Sequence, residues 1–112
     1  MKPSEGQVRD FRRAAQAGAE IVQGSQAHFP QTYELKAGSF IHYGLGNLFF
    51  DQMDTPVDGT RRELLDLHVI YGGKHISTVV LTAMLEDYAR PRPMTPEERI
   101  LFLGDLFRAA GW

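Results

Sequence analysis

The 112-residue sequence contains no cysteine, and that absence removes three chemistries at once: disulfide staples, thiolate metal sites and a cysteine nucleophile. It fixes no compartment, because exported proteins also do without cysteine. Long apolar runs are missing too. No stretch approaches the ~20 consecutive apolar residues of a membrane-spanning helix, and Met1-Lys2-Pro3-Ser4-Glu5-Gly6 has no apolar centre like that of a secretory signal. No membrane segment is expected in this chain. A strong charge of one sign is absent as well, since 12 Lys and Arg stand against 14 Asp and Glu for a formal charge of −2. Without a broad basic field to neutralise phosphates, nucleic acid is not expected as a partner. The sequence shows no internal repeat, low-complexity tract or linker, which at this length implies one domain over residues 1–112 with a single modest core.

What is present reads as a mixed fold. Ser4-Glu5-Gly6-Gln7 has the form of a capping box, and Val8, Phe11, Ala15 and Ala19 follow at near-helical spacing, predicting a helix over residues 5–17 that stops at Gly18. Glu20-Ile21-Val22-Gln23 predicts a short buried strand feeding a loop at Gly24. Thr32-Tyr33-Glu34-Leu35 and Ser39-Phe40-Ile41-His42-Tyr43 flank Lys36-Ala37-Gly38, the pattern of a β-hairpin. Segments 63–71 and 75–85, joined at Gly72-Gly73, predict a second and clearer hairpin, with Leu65, Leu67, Val69 and Tyr71 on one face opposite Asp66 and His68. Gly, Pro and Asp concentrate over residues 51–59, which read as loop. Arg90-Pro91-Arg92-Pro93 is expected to break regular structure. Thr95-Pro96-Glu97-Glu98 then opens a helix with a second capping box and proline at its first position, and Ile100, Leu103, Leu106, Phe107 and Ala110 supply an apolar stripe. The expected class is α/β, more closely an α+β fragment: helix and strand, two β-hairpins, and a C-terminal helix.

Chemistry concentrates in Gly24-Ser25-Gln26-Ala27-His28-Phe29-Pro30-Gln31, just past the carboxyl end of the first predicted strand, the edge at which ligands gather in open α/β sheets. A neutral imidazole there can give one nitrogen to a divalent cation while the other is held by a hydrogen-bond acceptor, and it can equally serve the loop as a hydrogen-bonder. Both readings stand for His28. Gln26 can orient a phosphate oxygen or a water through its amide, or close the loop, but glutamine is a poor metal ligand. Gly44-Leu45-Gly46-Asn47 lacks the third glycine and following helix of a dinucleotide fingerprint; Asn47 can close that turn or point its amide at an anion. Asp51, Asp54 and Asp58 lack the glycine and terminal glutamate of a calcium loop and read as a solvated acidic segment. His42, His68 and His75 read as sheet-surface hydrogen-bonders. Spacing reveals neither a Ser-His-Asp set nor a Walker loop.

Taken in order, several segments resemble the C-terminal part of the CapA family, bacterial capsule and poly-γ-glutamate biosynthesis proteins with a calcineurin-like metallophosphoesterase fold. The landmarks are Ala17-Gly18-Ala19-Glu20-Ile21-Val22, the Gly24-Ser25-Gln26-Ala27-His28 loop with Pro30-Gln31, Tyr43-Gly44-Leu45-Gly46-Asn47-Leu48, and Arg92-Pro93-Met94-Thr95-Pro96-Glu97-Glu98-Arg99. The resemblance implies a C-terminal portion of a metallophosphoesterase-like sandwich. His28 would be a metal ligand, and Gln26 and Asn47 would lie on the substrate side of the pocket. The family's loop carries an imidazole where this chain has Gln26, and Gly44 replaces a serine. The family's remaining metal ligands lie in an N-terminal part with no counterpart before Gly18. Hydrolysis through two metals needs several ligands, so this chain is expected to be inactive alone and to hold no divalent metal tightly, whether manganese, zinc or iron. A non-catalytic binding or assembly module, degenerate or truncated, is the alternative. The intact protein would handle an anionic polymer or its precursor, at the cell envelope or outside the cell given an upstream signal or anchor. The uncovered edge of residues 20–23 predicts a homo-oligomer, with elements exchanged between copies as one route.

Overall fold

The computed structural model describes residues 1–50, 53, 59–88 and 90–112. The loop read over residues 51–59, with Asp51, Asp54 and Asp58, falls outside the described residues apart from Met53 and Gly59. Among the described residues eight elements follow one another: α1 (Glu5–Gln16), β1 (Ile21–Gln23), β2 (Tyr33–Lys36), β3 (Ser39–His42), β4 (Arg62–Tyr71), β5 (Lys74–Glu86), β6 (Arg90–Pro93) and α2 (Pro96–Ala110). They form two three-stranded sheets, β1-β3-β2 and β4-β5-β6, and the class is mixed α and β as expected.

Helix α1 starts where the sequence places it. The Ser4 side chain accepts from Gln7 N at 3.2 Å, satisfying one amide that the first helical turn leaves free. The other half of the expected capping box is replaced. Gln7 Nε2 donates to Tyr43 O and to Gln31 Oε1, both at 2.8 Å, because a buried carbonyl needs a protein donor while the exposed Ser4 amide can use water. In the first sheet, β3 is the centre, parallel to β1 and antiparallel to β2, and all four of its residues are buried. Its alternation splits the layers. Ile41, with Tyr43 just beyond the strand, packs with Ala15, Val8, Phe11 and Val22 under α1, while Phe40 and His42 face the second sheet, where Phe40 meets the rings of His68 and His75. A bidentate Arg12–Glu34 pair at 2.7 Å, with Tyr43 Oη donating to Glu34 at 2.6 Å, pins α1 to this sheet.

The second sheet is the predicted long hairpin, closed by Gly72-Gly73 with both residues at positive φ. Its facing differs from what the alternation of Leu65, Leu67, Val69 and Tyr71 suggests. Leu64 is 3% exposed and lies in the core with Met94, Phe102 and Leu106, whereas Leu67, Val69 and Tyr71 are 57%, 51% and 81% exposed. The inward face carries Leu64, Asp66 and His68, whose polar side chains are tied across the interior: Asp66 Oδ2 meets His42, His68 Nδ1 meets Thr78, and Thr82 on β5 receives Arg99 at 3.1 Å, while Asp66 Oδ1 and His68 Nε2 have no hydrogen-bond partner among the described residues. A polar side chain with a hydrogen-bond partner can be buried, and the apolar row is left outside.

Two further expectations are corrected. Arg90-Pro91-Arg92-Pro93 does not end regular structure but forms the edge strand β6, with Pro91 opposite Leu85 and Pro93 opposite Ala83. Proline lacks a ladder donor, and an edge strand has a side that needs none. Helix α2 has its reciprocal Thr95–Glu98 box and a left-handed Gly111 cap, but its buried side is Phe102, Leu103 and Leu106, while Ile100 is 71% exposed. Arg99 turns toward β5 to donate to Thr82 Oγ1 and Val80 O, and residues 102, 103 and 106 lie three, four and seven positions on, along that same helix side. Arg92 joins the strand to the helix through Glu98 at 2.7 and 2.8 Å and Glu86 at 2.7 Å, holding the Glu98 carboxyl down at about 2.

The facing of the hairpin is open to direct measurement. Leu64→Ala is expected to cost about 2–5 kcal/mol, as core truncations do, and Leu67→Ala no more than about 1 kcal/mol. Urea denaturation of the two variants reads the difference, and equal losses would contradict the assignment of faces.

Candidate functional site

The loop of residues 24–31 leaves the carboxyl end of β1, as the sequence implies. Gly24 N donates to His42 O at 2.8 Å, and a Cβ at Gly24 would sit 2.0 Å from Tyr43 O, so only glycine allows this approach. Further on, Gln31 N donates to Gly44 O at 2.9 Å and Pro30 bridges Leu45. Gly46 adopts φ 88 and its absent Cβ would meet Arg62 O at 2.5 Å; it also bridges Glu63. The Gly44-Leu45-Gly46-Asn47 segment is thus a packing device that lets the site loop and the start of β4 close in from two sides.

This packing brings His28 and Asn47 together. Asn47 Nδ2 donates to His28 O at 3.1 Å and to Thr60 O at 3.2 Å. Both amide hydrogens are therefore committed to carbonyls, which turns Oδ1 toward the imidazole. His28 Nδ1 lies 3.0 Å from Asn47 Oδ1, and since that oxygen only accepts, Nδ1 carries the hydrogen. In the neutral ring Nε2 is then the nitrogen with a lone pair, the arrangement in which a histidine meets a cation. The half-buried ring also rests against Phe50, with centroids 4.9 Å apart.

Gln26 is not drawn into this pair. It is exposed, at φ 69 in the left-handed region, a conformation costing a non-glycine residue roughly 1 kcal/mol, and no hydrogen bond of its side chain to His28 or Asn47 is formed. Asn47, with its amide spent on carbonyls, orients His28. Among the described residues no three His, Asp or Glu side chains gather where they could hold a metal ion.

The structure also contains a polar cluster that sequence reasoning assigned to the sheet surface. His42 is completely buried; its Nδ1 lies 2.6 Å from Asp66 Oδ2 and its Nε2 3.2 Å from Gln31 O. The Gln31 carbonyl only accepts, so Nε2 bears a hydrogen, and one proton is held in the contact with Asp66. This pair has the composition of a catalytic dyad but not the access, because both His42 nitrogens are engaged inside the core. It is a tie between the sheets. Alongside it, His68 Nδ1 and His75 Nε2 both meet Thr78 Oγ1, at 2.8 and 2.7 Å. The only sequence signal for any of this was the Asp66, His68 alternation.

Glu63 is a further buried polar residue with no sequence signal of its own. It is 1% exposed and neither carboxyl oxygen has a hydrogen-bond partner among the described residues. Burial alone pushes its titration up to about 7.

Comparison with known proteins adds the following. The family described as bacterial capsule synthesis protein PGA_cap matches residues 1–52, the stretch that carries α1, the site loop, His28 and Asn47. A capsule biosynthesis protein CapA from Bacillus anthracis is 32% identical over 94 residues, covering 84% of this chain. The chain spans 22% of that relative's length.

Glu63 gives stability a defined pH dependence. An acid whose folded titration lies near 7 against an ordinary 4.5 binds its proton more tightly when folded. Stability is therefore highest below about pH 4.5 with respect to this group and falls as pH rises toward 7, by on the order of 2–3 kcal/mol. Glu63→Gln should remove that decline in denaturation curves taken at pH 5, 6, 7 and 8. A variant-minus-parent difference that stays constant with pH would contradict the assignment.

Proposed function

The chain belongs to the CapA family of bacterial capsule synthesis proteins, and on that premise we propose that it is a C-terminal segment of a metallophosphoesterase-like domain whose intact form makes or handles an anionic cell-surface polymer of the poly-γ-glutamate kind. The observation that carries this reading is the His28–Asn47 pair: a side-chain amide anchored on two carbonyls fixes the imidazole tautomer and leaves Nε2 as the donor nitrogen. That is what orientation of a single metal-ligating histidine requires.

A divalent metal, bound in such a domain, would polarise a phosphoryl oxygen and lower the proton affinity of a bound water. His28 fits as one ligand for manganese, zinc or iron, and Asn47 as the residue that holds it. The described residues offer no second and third ligand around it, so no hydrolytic step is assigned to this chain, and it is inactive alone in this reading. In this reading Gln26, exposed and two residues before His28 in the loop, serves the polymer side, where an amide can contact phosphate or carboxylate.

A second reading is favoured by Gln26 itself. Where the family carries an imidazole this chain has a side chain of low metal affinity, consistent with a non-catalytic binding or assembly module that keeps the fold.

Calorimetric titration of the chain with manganese or zinc separates the two. The metal-site reading expects weak saturable binding that disappears in His28→Ala and weakens about 10-fold or more in Asn47→Ala, with no turnover of a chromogenic phosphodiester. Binding that is undetectable, or unchanged in His28→Ala, would overturn it in favour of the module. Turnover by the chain alone would overturn the inactivity.

A further inference from the structure

We propose that the outer edge of β4 is a pairing surface for a second copy of this chain, joined strand to strand and antiparallel across a two-fold axis. This goes beyond the polymer-handling reading and stands without it.

In the order β4-β5-β6, one side of β4 has no neighbouring strand among the described residues. Among the described residues that side is engaged only at its beginning, where Leu64 N donates to Leu45 O at 2.8 Å and Glu63 bridges Gly46. Over residues 66–71 no outward backbone group is hydrogen-bonded to another strand among the described residues. This is an unpaired row about 20 Å long at ~3.4 Å per residue. The register irregularity at Val69/Ile70 leaves Ile76 of β5 as the extra residue, so the outer strand runs on unbroken.

Folded proteins normally guard such an edge with proline, lysine or another charge, or keep it very short. The other edges of this molecule follow that practice: β6 carries Arg90-Pro91-Arg92-Pro93, β2 carries Glu34 and Lys36, and β1 is three residues long. The exposed stretch of β4, Leu67-His68-Val69-Ile70-Tyr71, has no proline and no Lys, Arg, Asp or Glu. Set against its own copy it brings no like charges together, so it is electrostatically self-compatible where β6, with two arginines, is not. A two-fold axis at Val69 puts Leu67 opposite the Tyr71 of the second copy and Tyr71 opposite its Leu67, aliphatic–aromatic cross-strand pairs of a favourable type. The result is a continuous six-stranded sheet and an isologous contact. The homo-oligomer expected from the edge of residues 20–23 is thereby assigned to a different and longer edge.

The absence of cysteine makes a clean test available, because a single introduced cysteine can form a disulfide only between copies. Residues facing each other across an antiparallel pair have Cα atoms about 4.5–5.5 Å apart, within disulfide reach. Oxidised Val69→Cys should yield a covalent dimer, and Ile100→Cys, at a still more exposed position on α2, should not. Sedimentation equilibrium of the parent chain should show a dimer that dissociates on dilution. Val69→Lys should be monomeric with an unchanged circular dichroism spectrum, and Leu81→Lys, on the inner strand of the same exposed face, should remain dimeric. A parent chain that is monomeric at every concentration would overturn the proposal. So would a dimer dissolved by Leu81→Lys, which marks face-to-face stacking, or cross-linking that is no greater from Val69→Cys than from Ile100→Cys.

Discussion

The contact between His42 and Asp66 couples the two halves of this molecule. Both side chains are completely removed from solvent, and each sits on a different sheet, so neither can be buried unless the sheets meet in one orientation. A buried carboxylate without its imidazole, or the reverse, would carry a penalty of several kcal/mol. Turning Asp66 inward turns Leu64 and His68 inward with it, by the two-residue period of a strand. The same rotation sends Leu65, Leu67, Val69 and Tyr71 outward. The exposed apolar face is thus the other side of a decision made by one polar pair. Gln31 O, which accepts from His42 Nε2, extends the constraint to the end of the site loop.

That loop is shaped less by its own residues than by what they avoid. Gly24 and Gly46 make room for backbone carbonyls, and the space they leave is where the loop and the start of β4 converge on Asn47. Once there, the Asn47 amide has only one orientation that satisfies two carbonyl acceptors, and the tautomer of His28 follows from it. A single oriented imidazole is a component of a metal centre, not a complete one. This agrees with a chain that spans 22% of its capsule-biosynthesis relative. Glu63, buried beside the same turn without a hydrogen-bond partner among the described residues, is a cost the fold carries at the margin of the site, and such costs cluster near function more often than elsewhere.

Much of the fold was legible because the signals were local. Ser4 and Thr95 as helix caps, Pro96 at the first helical position and the Gly72-Gly73 turn each act through atoms within four residues of themselves. The same locality explains the partial failure at Gln7, whose side chain had a distant carbonyl as a competing acceptor. Pro91 and Pro93 misled for the opposite reason: proline forbids a ladder bond on one side only, and whether that side has a neighbour is a matter of topology. Within the site, the position of His28 past a strand end could be read from the chain, but its pairing with Asn47, 19 residues on, could not. His42 and Asp66, 24 residues apart on separate sheets, carry no pattern that pairs them.

By itself, then, the sequence determined the elements, their order, the residues at their ends and the family to which they belong, since these rest on short-range sterics, hydrogen bonding and ordered motifs. Only the tertiary structure decided which face of each element is inside. Period-two and helical patterns state which residues share a side, but which side is buried depends on the contacts its members make, and those contacts come from elsewhere in the chain. For the second sheet that rule favoured Asp66 and His68 over four apolar residues, and for α2 it favoured the side bearing Arg99.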